Sequence, residues 1–408
     1  MAVVSKSSTV VVVGADDQQS SGAGTIDLSS FDKSLGPLPI TVLLVFDHPI
    51  KDPVESIKKA LSQSLAVDHY HPMAGRLTPD GGAIACTGEG VSFVGASVSC
   101  ALADQHLPLL KDDLAMGYPG DWCRPEDPLV QMQVTEFSCG GFVVGVTWNH
   151  VMADGAGMAQ FLRAIGELAR GLPSPSVVPV RSSSLLPCIP PSVVAAQRAM
   201  MAVASKDMAS LDFTIPSSAI ARIKGQWADA NAHEQPCTVF EAVTALLWLC
   251  RTRAVVTAKD DDELPVGMVF PSNVRQQLGA EAGYYGNCLA AQLVQATTGA
   301  PAINGLVKLI KRAKDGGDQQ QPLHQGAAVG WYDTLLVSSW RNLGFEAAEF
   351  GGGAPARVMW HQRQTVLPIC VVCPPCKGKD DGVNVMSMCV RPEHADSFQA
   401  ALHAAYST

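Results

Sequence analysis

Short β-branched runs alternate with amphipathic helical stretches along the whole chain, with no internal repeat and no heptad pattern. That alternation reads as α/β or α+β. Residues 41–46 form an apolar strand, and Asp52-Pro53-Val54-Glu55 then supplies a helix cap, a first-turn proline and a capping-box glutamate. Val54, Ile57, Leu61 and Leu65 fall three or four apart and predict one helix face packed on a sheet. The segment HYHPMAGRL from His69 ends that helix with a proline and a glycine. Residues 142–148 are a second β-branched and aromatic strand. From Gly155 a helix follows with Met158, Phe161, Leu162, Ile165 and Leu168 in register before Gly171.

A chain of 408 residues exceeds one ordinary core of roughly 100–200 residues, so two domains are expected. Its 47% hydrophobic and 16% charged content excludes disorder as the dominant state. From Leu172 to about Ser205 prolines and serines break the pattern, which marks a linker. The expected division is an N-terminal domain at 1–172, a crossover linker at 173–207 and a C-terminal domain at 208–408. The last opens on a strand at Leu211-Asp212-Phe213. A capping box from Thr238 to Glu241 then starts a helix whose Phe240, Val243, Leu247 and Cys250 share a face.

With 29 basic and 38 acidic residues the net charge is −9, and no basic block exists to meet nucleic acid or an anionic membrane. The valine run at Val10 to Val13 is too short for a signal-peptide core or a membrane span. The expectation is therefore a cytoplasmic protein whose 12 cysteines are reduced thiols, and a monomer is expected. Cys370, Cys373 and Cys376 have a spacing that zinc thiolates use, but no fourth ligand follows and residues 366–372 read as a buried strand. No metal is expected.

The turn WNHVMADG carries the chemistry. It sets His150 at a strand end and Asp154 at the threshold of a helix, with Gly155 freeing the backbone beside it. An aspartate before a helix is ordinarily an N-cap, and a lone histidine is ordinarily structural. A histidine with the usual pKa of about 6.5, at a strand end between two domains, is also able to take a proton near neutral pH, as a general base must.

Here the chain resembles the BAHD acyltransferases, which share the signature His-x-x-x-Asp-Gly. The likeness covers nearly the whole chain: LSSFD at 28–32, HPMAGRL at 71–77, NHVMADG at 149–155, TVFEAVTALLWLCRTRA at 238–254, SNVRQQL at 272–278, YYGNC at 284–288 and SSWRNLGFEAAEFGGG at 338–353. The resemblance implies two chloramphenicol-acetyltransferase-like α/β domains, each a mixed β-sheet with flanking helices, and a channel between them. It implies acyl-CoA as co-substrate, no tightly bound cofactor, a small amine or alcohol acceptor, and His150 as the general base. Asp154 would point away from the channel and pair with Arg275, holding the site without touching substrate. Asn273 stands where relatives commonly have aspartate. The second family signature, Asp-Phe-Gly-Trp-Gly, survives only as Glu349-Phe350-Gly351-Gly352-Gly353, with its tryptophan missing.

By the same resemblance Arg251, Arg253 and Lys224 are candidates for the CoA phosphates, Gly351 and Gly353 lie near CoA, and the Trp340 indole N–H would face the oxyanion. The lean toward an aromatic acyl group and an amine acceptor also comes from this likeness, with a hydroxyl acceptor as the alternative. A different class of function, an inert ligand-binding relative, is suggested by Gly352 and Glu349. The intact His150 argues against it, since a site without proton transfer needs no base there. A hydrolase triad is excluded by the lack of a Gly-x-Ser-x-Gly elbow.

Overall fold

The computed structural model describes residues 3–15, 24–66, 70–102, 107–181, 186–201, 207–255, 264–299, 302–315, 331–365, 367–377 and 382–407. His69 and Val366, named above, lie outside them, as do parts of the expected linker. Two compact units are formed. The first comprises Met1–Val194, Val274–Cys288 and Asn342–Arg363, and the second Ala195–Asn273, Leu289–Arg341 and Gln364–Thr408.

The first unit is built on a mixed sheet in the order Val4–Lys6, Val91–Val98, Val130–Phe137, Phe142–Asn149, Pro39–Phe46 and Arg357–His361, with Val10–Val12 also paired to Val91–Val98. Strand Phe142–Asn149 is buried at every residue, which is why it reads as a nearly continuous apolar run rather than a clean alternation. The helices Pro53–Ser64 and Gly155–Ala169 pack against each other. Ile57, Leu61, Met158, Phe161, Leu162 and Ile165 are fully buried there, each contributing about 1.5–3 kcal/mol.

Two expectations change in this unit. Asp52 does not cap its helix through its side chain: its backbone is left-handed (φ 44°) and Pro53 follows at once, so the carboxylate makes no capping bond. The contiguous domain division also gives way. Strand Arg357–His361 pairs antiparallel with Pro39–Phe46, so the Glu349–Gly353 loop belongs to the first unit and not to a C-terminal domain. Residues 274–288 join it as well, closed at their base by the Val274 N–H donating to the Cys288 carbonyl at 2.9 Å. The linker is not a free tether either. Val180 is bridged to Tyr284, Arg181 is buried, and Pro191–Met201 is helical.

The second unit has a mixed sheet in the order Leu211–Ile215, Val383–Met388, Ile369–Cys373, Thr334–Ser339, Pro265–Asn273 and Leu289–Thr297. Its helix Val239–Val255 is buried on nearly every face from Glu241 to Trp248, as the helix at the centre of a core must be. The capping box is present: the Thr238 N–H donates to Glu241 at 2.8 Å, and the Glu241 N–H donates to the Thr238 hydroxyl at 3.3 Å. Among the described residues no helix is long and apolar enough to cross a membrane.

Glu241 also accepts from Lys314 at 2.5 Å and Lys311 at 3.2 Å. Burial pushes its pKa up, but the lysines and the Thr238 amide outweigh burial and hold it below the usual carboxylate range. A depressed carboxylate stabilises the fold above its unfolded pKa of about 4.3, and that stability is lost as pH falls through the lower folded value. Glu241→Gln should therefore cost about 1–3 kcal/mol at pH 7, with the deficit shrinking in thermal melts taken on acidification below the unfolded value. Equal melting at pH 7 would contradict the assignment.

Candidate active site

Strand Phe142–Asn149 runs into a tight turn at 150–154, and helix Gly155–Ala169 begins immediately after it. Asp154 is the N-cap, its Oδ1 accepting from the Gly157 N–H at 3.0 Å. The same carboxylate, 1% exposed, accepts from Arg275 twice, at 2.8 Å from Nη1 and 2.7 Å from Nη2. It also accepts from the Cys288 N–H at 3.1 Å. Arg275 donates onward to the Gly286 carbonyl at 2.6 Å and the Tyr284 carbonyl at 3.3 Å. The bidentate pair thus ties the helix start to the 275–288 segment.

Their approach is close enough to dictate residue type. A Cβ on Gly157 would overlap the Tyr285 carbonyl oxygen, so only glycine fits where the helix meets that segment. At Gly155 the nearest obstacle is only the flexible end of the Leu343 side chain. Gly157 was not anticipated as a site-forming residue; its one signal was the repeated glycine in DGAG.

His150 is partly buried, and its backbone N–H donates to the Leu38 carbonyl at 2.8 Å. Its ring Nδ1 lies 3.1 Å from the Asn287 Oδ1. The Asn287 amide nitrogen donates to the His150 carbonyl and to Asp32 Oδ1, each at 2.8 Å. Behind them Asp32 pairs with Arg181 at 3.1 Å, and Arg181 reaches the Val151 carbonyl at 3.2 Å. Burial pushes the His150 pKa below its ordinary value, against the opposing pull of Asp154, Asn287 and Asp32. Nothing local in the sequence marks Asn287, Asp32 or Arg181 for a role here: the first two lie in the motifs YYGNC and LSSFD, and Arg181 sits in a proline-rich stretch that looks like linker.

The cationic candidates and Trp340 belong to the second unit. Arg251 is not available to a ligand: it is 2% exposed, donates to the Cys389 and Tyr332 carbonyls and stacks over the Tyr332 ring. Arg253 is exposed in the last turn of the same helix. Lys224 is exposed and acts with Lys311 and Lys314 on Cys237, just before that helix begins. Some twelve to fourteen residues of helix, roughly 18–21 Å, therefore separate the Lys224 cluster from the two arginines. Trp340 is buried in the second unit with its backbone N–H on the Val372 carbonyl at 2.7 Å.

Gly351 and Gly353 both have positive φ, 109° and 97°, and their loop is anchored rather than free. Phe350 packs edge-on against Phe46 at 5.3 Å, and the Glu349 carbonyl accepts from Arg170. Cys370 and Cys373 lie on one strand an odd number of residues apart, so they face opposite sides of the sheet and cannot share a metal. Among the described residues no group of three or more His, Cys, Asp or Glu side chains is arranged to hold one.

Comparison with known proteins gives this geometry its class. A family model described as the transferase family matches residues 2–404. Acyl transferase 15 of Oryza sativa subsp. japonica is 42% identical, covering 98% of both chains. A 3'-N-debenzoyl-2'-deoxytaxol N-benzoyltransferase of Taxus canadensis is 32% identical over 89% of this chain and 87% of its own. A myricetin 3-O-glucosyl 1,2-rhamnoside 6'-O-caffeoyltransferase of Crocosmia x crocosmiiflora is 30% identical over 92% and 93%. Among solved structures, vinorine synthase superposes with a TM-score of 0.80 at 20% identity, covering 100% of both chains. F. graminearum TRI101 complexed with coenzyme A and T-2 mycotoxin gives 0.73 at 16% identity, covering 93% of this chain and 97% of the other. The chain belongs to this transferase family, the BAHD acyltransferases.

Arg275→Ala should cost about 3–5 kcal/mol, since it leaves the buried Asp154 charge without its ion partner, and Asp154→Ala should cost less, since the Arg275 side chain is 19% exposed and keeps the Gly286 and Tyr284 carbonyls. The double variant should lose clearly less than the sum, because the two form one unit. Chemical denaturation of the four proteins measures this directly, and additive losses would show that the pair is not coupled.

Proposed function

We propose that the protein transfers an aromatic acyl group, of benzoyl or hydroxycinnamoyl type, from acyl-CoA to an amine of a plant specialised metabolite, with His150 as general base. The observation that carries this reading is the division of labour at the turn. Asp154 is fully engaged with Arg275, Gly157 and Cys288, so it clamps the turn and the imidazole works without a carboxylate relay.

A thioester is already activated. The enzyme has to hold it beside the acceptor, take the acceptor's proton and stabilise the oxyanion. His150 removes the proton as the acceptor nitrogen attacks the thioester carbonyl carbon, and the carbonyl electron pair moves onto oxygen. Collapse of the tetrahedral intermediate breaks the carbon–sulfur bond. The imidazolium then returns its proton to the departing CoA sulfur, leaving an amide and free CoA. Of the candidate cations, exposed Arg253 and Lys224 remain for the CoA phosphates as alternatives, since they lie toward opposite ends of helix Val239–Val255.

No acyl-enzyme is required: one candidate thiol is distant and the other is held protonated. Cys139 lies beyond the far end of strand Phe142–Asn149, roughly 25 Å of extended chain from His150. Cys288 is held protonated, burial raising its pKa to about 11. The names of the relatives support both an amine and a hydroxyl acceptor, and the same chemistry serves an alcohol.

Purified protein assayed for CoA release against a matrix of acyl-CoAs with amines and alcohols should give its highest kcat/KM with an aromatic acyl-CoA and an amine. A preference for alcohols would reassign the acceptor and leave the mechanism standing. His150→Ala should still fold cooperatively and lose about two to four orders of magnitude in turnover. Initial-rate lines should intersect, and Cys139→Ser should stay active. Near-native turnover in His150→Ala, or parallel lines with a trapped acyl-cysteine, would overturn the mechanism.

A further inference from the structure

Asp32 is ringed by donors. Its Oδ2 accepts from the Ser29 N–H at 2.9 Å, the Ser29 hydroxyl at 2.8 Å and Arg181 at 3.1 Å, and its Oδ1 from the Asn287 N–H at 3.1 Å and side-chain amide at 2.8 Å. The second acceptor for the Asn287 amide is the His150 carbonyl, which can only accept. These two acceptors settle which way the Asn287 amide points. Turned around, its oxygen would face a carboxylate and a carbonyl at hydrogen-bond distance, two repulsive contacts in a fully buried position. Its oxygen therefore faces the imidazole Nδ1, where it requires a donor.

From this arrangement we infer that Asn287 is a positioning residue for catalysis, fixing His150 as the Nδ1–H tautomer so that Nε2 carries the lone pair. The order of command runs from Arg181 to Asp32 to Asn287 to His150. A neutral imidazole has one N–H, so a proton locked on Nδ1 leaves Nε2 as the only basic atom. When Nε2 takes the acceptor's proton, the Nδ1–H bond to the amide oxygen becomes charge-assisted and steadies the imidazolium. An amide orients the ring as a carboxylate would, yet binds the imidazolium less strongly. It thus favours return of the proton to a thiolate leaving group. The inference rests on His150 being the proton acceptor, but its test does not.

The test is the ring 15N spectrum of protein labelled at histidine, with the His150 signals assigned by their loss in His150→Gln. At a pH where the ring is neutral, wild-type His150 should show a protonated Nδ1 and an unprotonated Nε2. Asn287→Ala, which keeps the backbone N–H bond to Asp32, should shift population toward the Nε2–H tautomer. Its kcat should fall by between about 10- and 1,000-fold with KM for both substrates nearly unchanged, and Asn287→Leu should behave alike. A wild-type proton on Nε2 would refute the inference even if neither variant folds. So would an Asn287→Ala protein with unaltered His150 signals, which would reduce Asn287 to a brace for the turn. Activity surviving in His150→Ala would instead remove the general base and leave the tautomer assignment intact.

Discussion

Four hydrogen bonds converge on the Asp154 carboxylate, from the start of its own helix, from both arms of the Arg275 fork and from the Cys288 amide. Each partner alone is ordinary. Together they set the last residue of a turn whose first residue is His150, so the proposed base inherits its position from a carboxylate engaged with other partners. A buried ion pair is a weak stabiliser by itself and a strong one to break, costing about 3–5 kcal/mol when one partner is removed. The pair thus acts as a latch on geometry. Gly157 completes it, because the helix can approach Tyr285 only where no Cβ intervenes.

The second network stands beside the first and answers a different need. Arg181, Asp32 and Asn287 form a buried chain ending on the His150 ring. Each member of the chain directs the next. Asp154 positions the backbone and Asn287 orients the ring. An enzyme that uses an activated acyl donor needs a base of modest strength, and an imidazole whose pKa is lowered by burial and oriented by an amide meets that need.

The elements nearest this chemistry were legible in the chain because their signals are local. The β-branched run at 142–149, the helix periodicity from Gly155 and the Thr238–Glu241 capping box each depend on a few consecutive residues. What could not be read is non-local. Nothing in residues 357–361 announces that they pair with 39–46, so the division into 1–172 and 208–408 missed two excursions of the chain into the first unit. Arg251 looked like a solvated cation beyond a helix. Its burial follows from two carbonyls more than 80 positions further along that need a donor. Asp52 had every local mark of a cap, and a left-handed backbone overrode them. For Asn287 the residue was visible, but its role depends on Asp32, 255 positions away.

The proposed base is a neutral imidazole held by these two networks. The measurement that tests this most directly is the pH dependence of kcat/KM at saturating acyl-CoA, using an aliphatic alcohol acceptor whose own ionisation stays outside the range. Since burial lowers the His150 pKa, a base that works deprotonated should give one acid limb centred below the ordinary imidazole value of about 6.5, with a plateau above it. Residual activity in His150→Gln should lack that limb. A limb centred well above the ordinary value, or one that persists in His150→Gln, would contradict the account.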